Sequence, residues 1–448
     1  MIECESMLLL FSFSVMKLFT VFSLLLITFV GINTHPEQIH LSPTENPDEM
    51  TIMWSTESNV NRTVVLYGLS NDSLTQKDEG TCQNLVNDDY YVDLCVVRFI
   101  WTGTKSQRVH KVILKGLSQN TKYYYKVGSE ESWSEVFSFT TLPKGDDWET
   151  KMIIFGDLGE GSPTTPWLIK EANTGMWQAF FHNGDIAYCL ESKGGKVGDN
   201  FFNEIQPIAA YYPYLVSVGN HESYGNFTNF KVRFDMPGEF DNMFYSYKIG
   251  KVLFIIFSTE VFYEGEDRNV VKSNQWIWLK NTLEEANKGE NRKKQPWIIV
   301  AGHRPIYCST TVSEACPDKN LQIEYEDLFF KYGVDIVFSG HEHDYERSYP
   351  IYQNNLCTPK EDNPYTNPCA PIYIISGAAG NFRGQFIFLD FKPNYIAYRS
   401  RDVSYTRLTA YNSTDLYIEQ VSVDKEGEVI DKVLIHKDHH GPYLSNYL

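Results

Sequence analysis

Up to about residue 143, apolar and polar positions alternate over short runs such as Thr51-Ile-Met-Trp54, Thr63-Val-Val-Leu-Tyr67, 109–114 and 123–127. Successive strand side chains point to opposite faces, so this alternation predicts strands with one buried face. Turn residues recur between the runs, which predicts an antiparallel β-sandwich over residues 34–144. A polar joint at 144–147 follows, and beyond Trp148 the pattern changes. Apolar runs of four to six residues now alternate with helix-like spacing at 165–174, 274–288 and 321–332. Continuous apolar runs read as strands buried on both faces, so residues 148–400 read as an α/β domain, with 401–448 as its C-terminal part.

The N-terminus has a third pattern. Lys17 precedes a 13-residue, mostly apolar run at 18–30 (LFTVFSLLLITFV), as in the apolar region of a secretory signal, here residues 1–31. A second apolar stretch, 7–16, lies upstream of Lys17; translation from Met16 would leave a conventional signal. An anchor through residues 7–30 would put Lys17 in mid-membrane, which is costly. No other stretch approaches a membrane span, and the tail DHHGPYLSNYL is no lipid-anchor signal. The expected location is secreted, or lumenal as in a lysosome, with no stable membrane span.

Cysteines fit an oxidising compartment. Cys4 should leave with the signal, and Cys82/Cys95, Cys308/Cys316 and Cys357/Cys369 lie close in sequence in polar surroundings. Six cysteines allow fifteen pairings, so connectivity stays open. Cys189 is left over and reads as a buried free thiol. Sequons at Asn61, Asn71, Asn226 and Asn412 would accept glycans there.

At 448 residues the chain has room for two folded units, and a net charge of −18 argues against a nucleic-acid partner. An acidic chain that binds an anion needs a strong local positive charge, which a metal cluster can supply. Five apolar runs lead to candidates. Phe155 is followed by Gly156-Asp157-Leu-Gly159, and Asn183 by Gly184-Asp185-Ile-Ala-Tyr188. Val218 is followed by Gly219-Asn220-His221-Glu222, Ala301 by Gly302-His303-Arg304-Pro305, and Ser339 by Gly340-His341-Glu342-His343. One such Gly-Asp is an ordinary turn. Five in succession point to ligands gathered at the carboxyl ends of strands. The donors are oxygen and nitrogen without cysteine, which suits Fe, Zn or Mn.

The ordered set GDLG, GDIAY, GNHE, GHRP and GHEH resembles the metallophosphoesterase superfamily, and within it the purple acid phosphatases of the long, plant-like type found also in animals. The stretch Leu117-Ser-Gln-Asn-Thr-Lys-Tyr-Tyr-Tyr-Lys-Val127 in turn resembles the strand-F corner of fibronectin type III domains. Together they imply a fibronectin type III-like sandwich followed by a four-layered αββα catalytic domain. Carried over by residue, Asp157, Tyr188 and His343 would bind Fe(III). Asn220, His303 and His341 would bind a divalent Zn, Fe or Mn, and Asp185 would bridge the two ions. His221 resembles the histidine that orients the phosphate or protonates the leaving oxygen. Gly159 stands where many relatives in the superfamily place a histidine ligand, and the Tyr188 phenolate takes over that role. Glu342 would point away from the ions, residues 344–347 would pack and form ion pairs, and Glu222 carries the weakest case for catalysis.

The resemblance implies a secreted acid phosphatase, a phosphoric monoester hydrolase acting through a metal-bound hydroxide on a small phosphate monoester or a phosphoprotein. Alternatives are a di-divalent phosphodiesterase or nucleotidase, opposed by Tyr188 and Gly159, and a non-catalytic adhesion glycoprotein, opposed by the complete ligand set. Plant members carry further histidines about ten residues past the His303 position. Here Cys308-Ser-Thr-Thr-Val-Ser-Glu-Ala-Cys316 stands there, which leaves substrate recognition open. His110, His182 and His436 read as packed or surface residues, and His439 and His440 as a solvated tail.

Overall fold

The computed structural model describes residues 34–443 apart from 58–59, 61, 88–104, 311–315 and 358–361. The signal expectation, Cys95 and Asn61 lie outside the described residues. Strands β1 (Glu37–Pro43), β2 (Met50–Thr56), β3 (Val64–Gly68), β4 (Gln76–Glu79), β5 (Thr81–Asn87), β6 (Lys105–Leu114), β7 (Lys122–Gly128) and β8 (Phe137–Thr140) form two four-stranded sheets, ordered β1-β2-β6-β5 and β4-β3-β7-β8. Trp54, Leu114, Tyr125 and Phe139 fill the core between them. The corner before β7 closes as a tyrosine corner: the Tyr123 hydroxyl accepts from the Ser118 N–H at 2.9 Å. His110 is packed, stacking on Trp54 with ring centroids 5.0 Å apart.

The second domain runs β9 (Thr150–Phe155), α1 (Thr165–Ala172), β10 (Ala179–Asn183), α2 (Lys196–Ala209), β11 (Tyr214–Ser217), α3 (Tyr224–Arg233), β12 (Tyr245–Ile249), β13 (Val252–Ile256), α4 (Arg268–Ala286), α5 (Gly289–Lys294), β14 (Trp297–Ala301), α6 (Lys319–Lys331) and β15 (Ile336–Ser339). It continues with β16 (Tyr345–Ser348), the small hairpin β17 (Ile351–Tyr352) and β18 (Asn355–Leu356), β19 (Ile372–Ser376), β20 (Ile396–Ser400), β21 (Ser404–Ala410), β22 (Asp415–Ser422) and β23 (Glu428–His436). One sheet is ordered β11-β10-β9-β21-β22-β23 and the other β12-β13-β14-β15-β19-β16-β20. Within them β9, β10 and β11 are parallel, as are β13, β14, β15 and β19.

The sheets face each other across one core, where Phe181 of β10 meets Phe254 of β13 edge-on at 4.7 Å. Helices cover the outer faces. His182, on the other side of β10, packs against Phe201 of α2, and Phe257 after β13 packs against Tyr325 and Phe329 of α6. This is the four-layered αββα arrangement, and it brings the carboxyl ends of β9, β10, β11, β14 and β15 to one edge.

The domains are joined by polar contacts around Arg233. Its guanidinium is buried and donates to Asp199 at 2.9 Å, to Asn229 and Gln38 at 3.1 Å and to the Gly195 carbonyl at 3.2 Å.

Three expectations are corrected. Cys82 is unpaired, lying opposite His110 on β5, whereas Cys189 is disulfide-bonded to a partner outside the described residues. Closeness in sequence placed Cys82 on a sheet position rather than beside a thiol. Nor is His440 a solvated tail: its Nε2 lies 2.7 Å from the Ser413 carbonyl and its ring meets Trp297 at 4.7 Å. The chain folds back here, and the Tyr443 hydroxyl donates to the Val334 carbonyl. Cys308–Cys316 and Cys357–Cys369 are bridged as expected. Of the sequons, Asn71 and Asn412 are exposed, and Asn226 is half-buried with its amide oxygen accepting from the Glu266 N–H.

Candidate metal centre

All seven predicted ligands converge in two adjoining groups. In the first, the Tyr188 hydroxyl lies 2.8 Å from His343 Nε2 and 3.3 Å from Asp157 Oδ1, and His343 Nε2 is 3.6 Å from that same oxygen. In the second, His303 Nε2 is 3.2 Å from Asp185 Oδ1 and 3.3 Å from Asn220 Oδ1, with His341 Nδ1 2.9 Å from Asn220 Oδ1. Donor atoms of Asp185, His303 and His341 all lie within 4.8 Å of one another. His341 and His343 thus go to different groups, while the Glu342 carboxylate turns away to accept from the Thr310 hydroxyl.

Backbone geometry permits this crowding at two glycines in particular. A Cβ on Gly184, whose φ is +75°, would stand 2.4 Å from His303 Nδ1. A Cβ on Gly159 would meet the Tyr188 ring at 3.2 Å, so a longer side chain and the tyrosine compete for one place. Imidazole orientation is set from behind: His303 Nδ1 faces the Asn183 carbonyl and His343 Nδ1 the Gly384 carbonyl, both at 2.9 Å.

The electrostatics are those of a cation cage. Burial pushes the Asp157 carboxyl well above its usual range, and neighbouring Asp185 adds to the rise. Burial acts the same way on Asp185, but His303 and His221 outweigh it and hold that carboxyl well below. For His303, burial disfavours the charged ring, yet Asp185 and Asp157 raise it to about 10. Burial, then the same two carboxylates, lifts the Tyr188 phenol well above its ordinary value. The oxygen and nitrogen donor set fits a pair of hard or borderline metal ions.

His221 stands at the edge of this cage. Its N–H donates to Asp185 Oδ1 at 2.9 Å and its ring lies 4.6 Å from that of Tyr188. Its Nδ1 is 3.6 Å from the sulfur of Cys189, and burial lowers its pKa. Glu222 has a structural part that its sequence position did not reveal. Its carboxylate accepts from the N–H groups of Gly219, Asp185 and Ile186 at 2.8, 3.0 and 2.8 Å, tying together two ligand-bearing turns.

In residues 344–347, Arg347 forms the expected ion pair, to Asp431, with Nε at 2.7 Å and Nη2 at 2.8 Å, and Glu346 accepts from the Ser309 N–H. Among the described residues the two carboxylate oxygens of buried Asp344 have no hydrogen-bond partner, and burial raises its pKa, as does nearby Glu346. His182 is packed and His436 pairs with Asp415 at the surface.

Sequence reasoning passed over the residues that border the site. Arg304 is gripped by both Glu260 oxygens and reaches His341 Nε2 at 3.4 Å. Asn381 donates to the Asp157 carbonyl, and Phe382 and Arg383 lie against the Tyr188 ring. The last three come from a loop that follows a strand carrying no candidate ligand, so no local signature marks them.

Comparison with known proteins agrees with this geometry. Residues 36–141 match the family described as Purple acid Phosphatase, N-terminal domain. Residues 150–345 match Calcineurin-like phosphoesterase, and 370–432 match Iron/zinc purple acid phosphatase-like protein C. Acid phosphatase type 7 of Danio rerio is 38% identical over 430 residues, spanning 92% of this chain and 94% of the relative. Fe(3+)-Zn(2+) purple acid phosphatase 12 of Arabidopsis thaliana is 29% identical over 406 residues, 85% of this chain and 80% of that one. The fold matches purple acid phosphatase PPD1 from yellow lupin (Lupinus luteus) seeds with a TM-score of 0.74 at 24% identity, covering 91% of this chain and 76% of the lupin chain. With its sandwich and its two facing sheets, this chain belongs to the purple acid phosphatases, phosphoric monoester hydrolases of the metallophosphoesterase superfamily.

Proposed function

We propose that the chain hydrolyses phosphate monoesters at an Fe(III)–M(II) pair, in a secreted or lumenal compartment. The observation that carries this reading is the meeting of the Tyr188 hydroxyl with Asp157 and His343, beside a second group built from Asp185, Asn220, His303 and His341. Asp157, Tyr188 and His343 would hold the ferric ion, Asn220, His303 and His341 the divalent one, and Asp185 would serve both. When bound, such a pair supplies Lewis acidity and an activated water. Zinc as the divalent partner is supported by the Fe(3+)-Zn(2+) name of the plant relative.

The protein's own groups do the rest. Asp157 and Asp185 are oriented by the N–H groups of His341 and His221, each 2.9 Å away. Glu222 fixes the turn between Gly219 and Asn220. His221, at the rim, delivers a proton to the departing alkoxide oxygen or orients the phosphoryl group. The apolar segment 18–30 and the bridges Cys308–Cys316 and Cys357–Cys369 support an oxidising compartment. Among the described residues no helix is long and apolar enough to cross a membrane.

The test is metal analysis beside turnover of p-nitrophenyl phosphate at pH 5. Close to one iron and one other transition metal per chain, with monoester turnover, is expected. A fully loaded protein that cleaves bis(p-nitrophenyl) phosphate and leaves the monoester intact would transfer the assignment to a phosphodiesterase.

A further inference from the structure

The loop between β19 and β20 is fastened to the metal cage at several points. Asn381 Nδ2 donates to the Asp157 carbonyl at 3.2 Å, and its Oδ1 accepts from the Arg383 N–H at 2.9 Å. His343 Nδ1 faces the Gly384 carbonyl, the Phe386 N–H donates to the His343 carbonyl at 3.2 Å, and the Phe386 ring stacks on His343 at 4.1 Å. Two consecutive side chains of this anchored loop, Phe382 and Arg383, turn toward the buried Tyr188.

The Phe382 ring meets the Tyr188 ring edge-on at 5.6 Å, yet Phe382 is 61% exposed. The Arg383 guanidinium lies 5.6 Å from the same ring and is exposed. A single exposed phenylalanine is ordinary on a protein surface. One held at the mouth of a polar cage by a loop tied to two metal ligands is better placed than folding alone requires.

Charge sharpens the case. The chain carries a net charge of −18, so an anionic ester needs cationic help on approach. Arg304 is already neutralised by Glu260, with contacts of 3.0 to 3.1 Å. Among the described residues the Arg383 guanidinium is in no ion pair, and its planar fork suits phosphoryl oxygens.

We propose that Phe382 and Arg383 form the substrate-recognition edge of this site, Arg383 engaging the phosphoryl oxygens and Phe382 stacking on the leaving group, with aryl phosphate monoesters, the class that includes phosphotyrosyl side chains, as the preferred substrates. This rests on the monoesterase reading above, and its test is a binding measurement that does not need turnover. The full chain, loaded with iron and zinc, is titrated calorimetrically with phenylphosphonate, cyclohexylphosphonate and methylphosphonate, and iron content is measured for every variant.

Phenylphosphonate should bind about 3- to 10-fold more tightly than methylphosphonate, the range of an aromatic pair. Phe382→Ala should erase that ratio without weakening methylphosphonate, and Phe382→Trp should keep it. Arg383→Gln should weaken both ligands about tenfold or more, with Arg383→Lys losing less. Equal binding of phenyl and methyl ligands, equal binding of phenyl and cyclohexyl ligands, or an Arg383→Gln variant with unchanged affinities would overturn the proposal. Loss of iron in Arg383→Gln would assign that residue to holding Tyr188 and overturn it equally. If the loaded wild type leaves p-nitrophenyl phosphate intact, the monoesterase reading fails, and the phosphonate ratios still decide on the recognition edge.

Discussion

Replacing Glu222 by alanine tests whether the metal ligands are held by a carboxylate that is not itself a ligand. Glu222 is 2% exposed and accepts three backbone N–H groups within 3.0 Å, those of Gly219, Asp185 and Ile186. Alanine strands all three donors in a site too crowded for free hydration. Each unsatisfied buried donor costs about 1–3 kcal/mol, so about 3–6 kcal/mol in all is expected after some relaxation. The loss should be local as well as global, because Asp185 and Asn220 leave their turns. Glu222→Gln keeps one acceptor oxygen but aims an amide N–H₂ at the remaining donors, so its cost should fall in between. Guanidinium unfolding beside iron and zinc content measures both effects. A Glu222→Ala protein with both metals bound and less than about 1 kcal/mol of destabilisation would refute the idea that this carboxylate ties the two turns together.

Three further outcomes are expected. Tyr188→Phe removes one oxygen from a buried ring, so the fold should survive while the phenolate-to-Fe(III) charge-transfer band expected of the iron-loaded protein vanishes and iron binds less firmly; an unchanged band with full iron would remove Tyr188 from the ligand set. His221→Ala should retain metals and colour and lose about 10²–10⁴-fold in kcat, and near-full kcat with a poor leaving group would make it structural. His110 is buried between the hydroxyls of Thr56 and Thr63, and burial lowers its pKa from 6.5 to about 4. Its folded pKa lies below the unfolded one, so the stability it contributes is present above pH 6.5 and drains as pH falls toward 4, by about 3 kcal/mol in full. His110→Gln should flatten the pH dependence of unfolding across that window, and an unaltered slope would count against it.

What could be read from the chain was what local chemistry repeats. The five turns that bear the candidate donors each follow an apolar strand and open with glycine, so the candidate set was legible without any tertiary information, and its assignment to metals came from the resemblance. The sandwich strands β6 and β7 were legible from alternation, since each buries mainly one face, whereas β2 is buried along both. Helix α4 was only partly seen, because Arg268, Asn269 and Val270 begin it in solvent and offer no apolar stripe. Helix α2 was missed altogether: Gly198 and Pro207 lie within it and read as breakers. Contacts made by tertiary closure left no local trace. The Asp185 and Ile186 N–H bonds to Glu222, the bond from Arg233 to Gln38 and the approach of Phe382 and Arg383 to Tyr188 all join segments distant in sequence.

Asp157, Asp185, Tyr188 and His341 all have left-handed backbones, with φ of 60°, 46°, 54° and 69°. Aspartate tolerates that region fairly well, whereas an aromatic residue there costs of order 1–3 kcal/mol and persists only where its surroundings enforce it. A tyrosine that served only to fill the core could do so from an ordinary backbone. At Tyr188 the surroundings instead turn the phenol inward, to 2.8 Å from His343 and 3.3 Å from Asp157, into a place where burial and two carboxylates make the lone hydroxyl hard to ionise. The neighbouring bonds that hold this arrangement come from a proposed ligand and from the residue beside one: His341 N–H donates to Asp157, and His221 N–H, next to Asn220, donates to Asp185. The strain and the bonds opposing it therefore belong to one unit, and that unit makes chemical sense if a cation takes up the oxygen of Tyr188 together with those of the carboxylates.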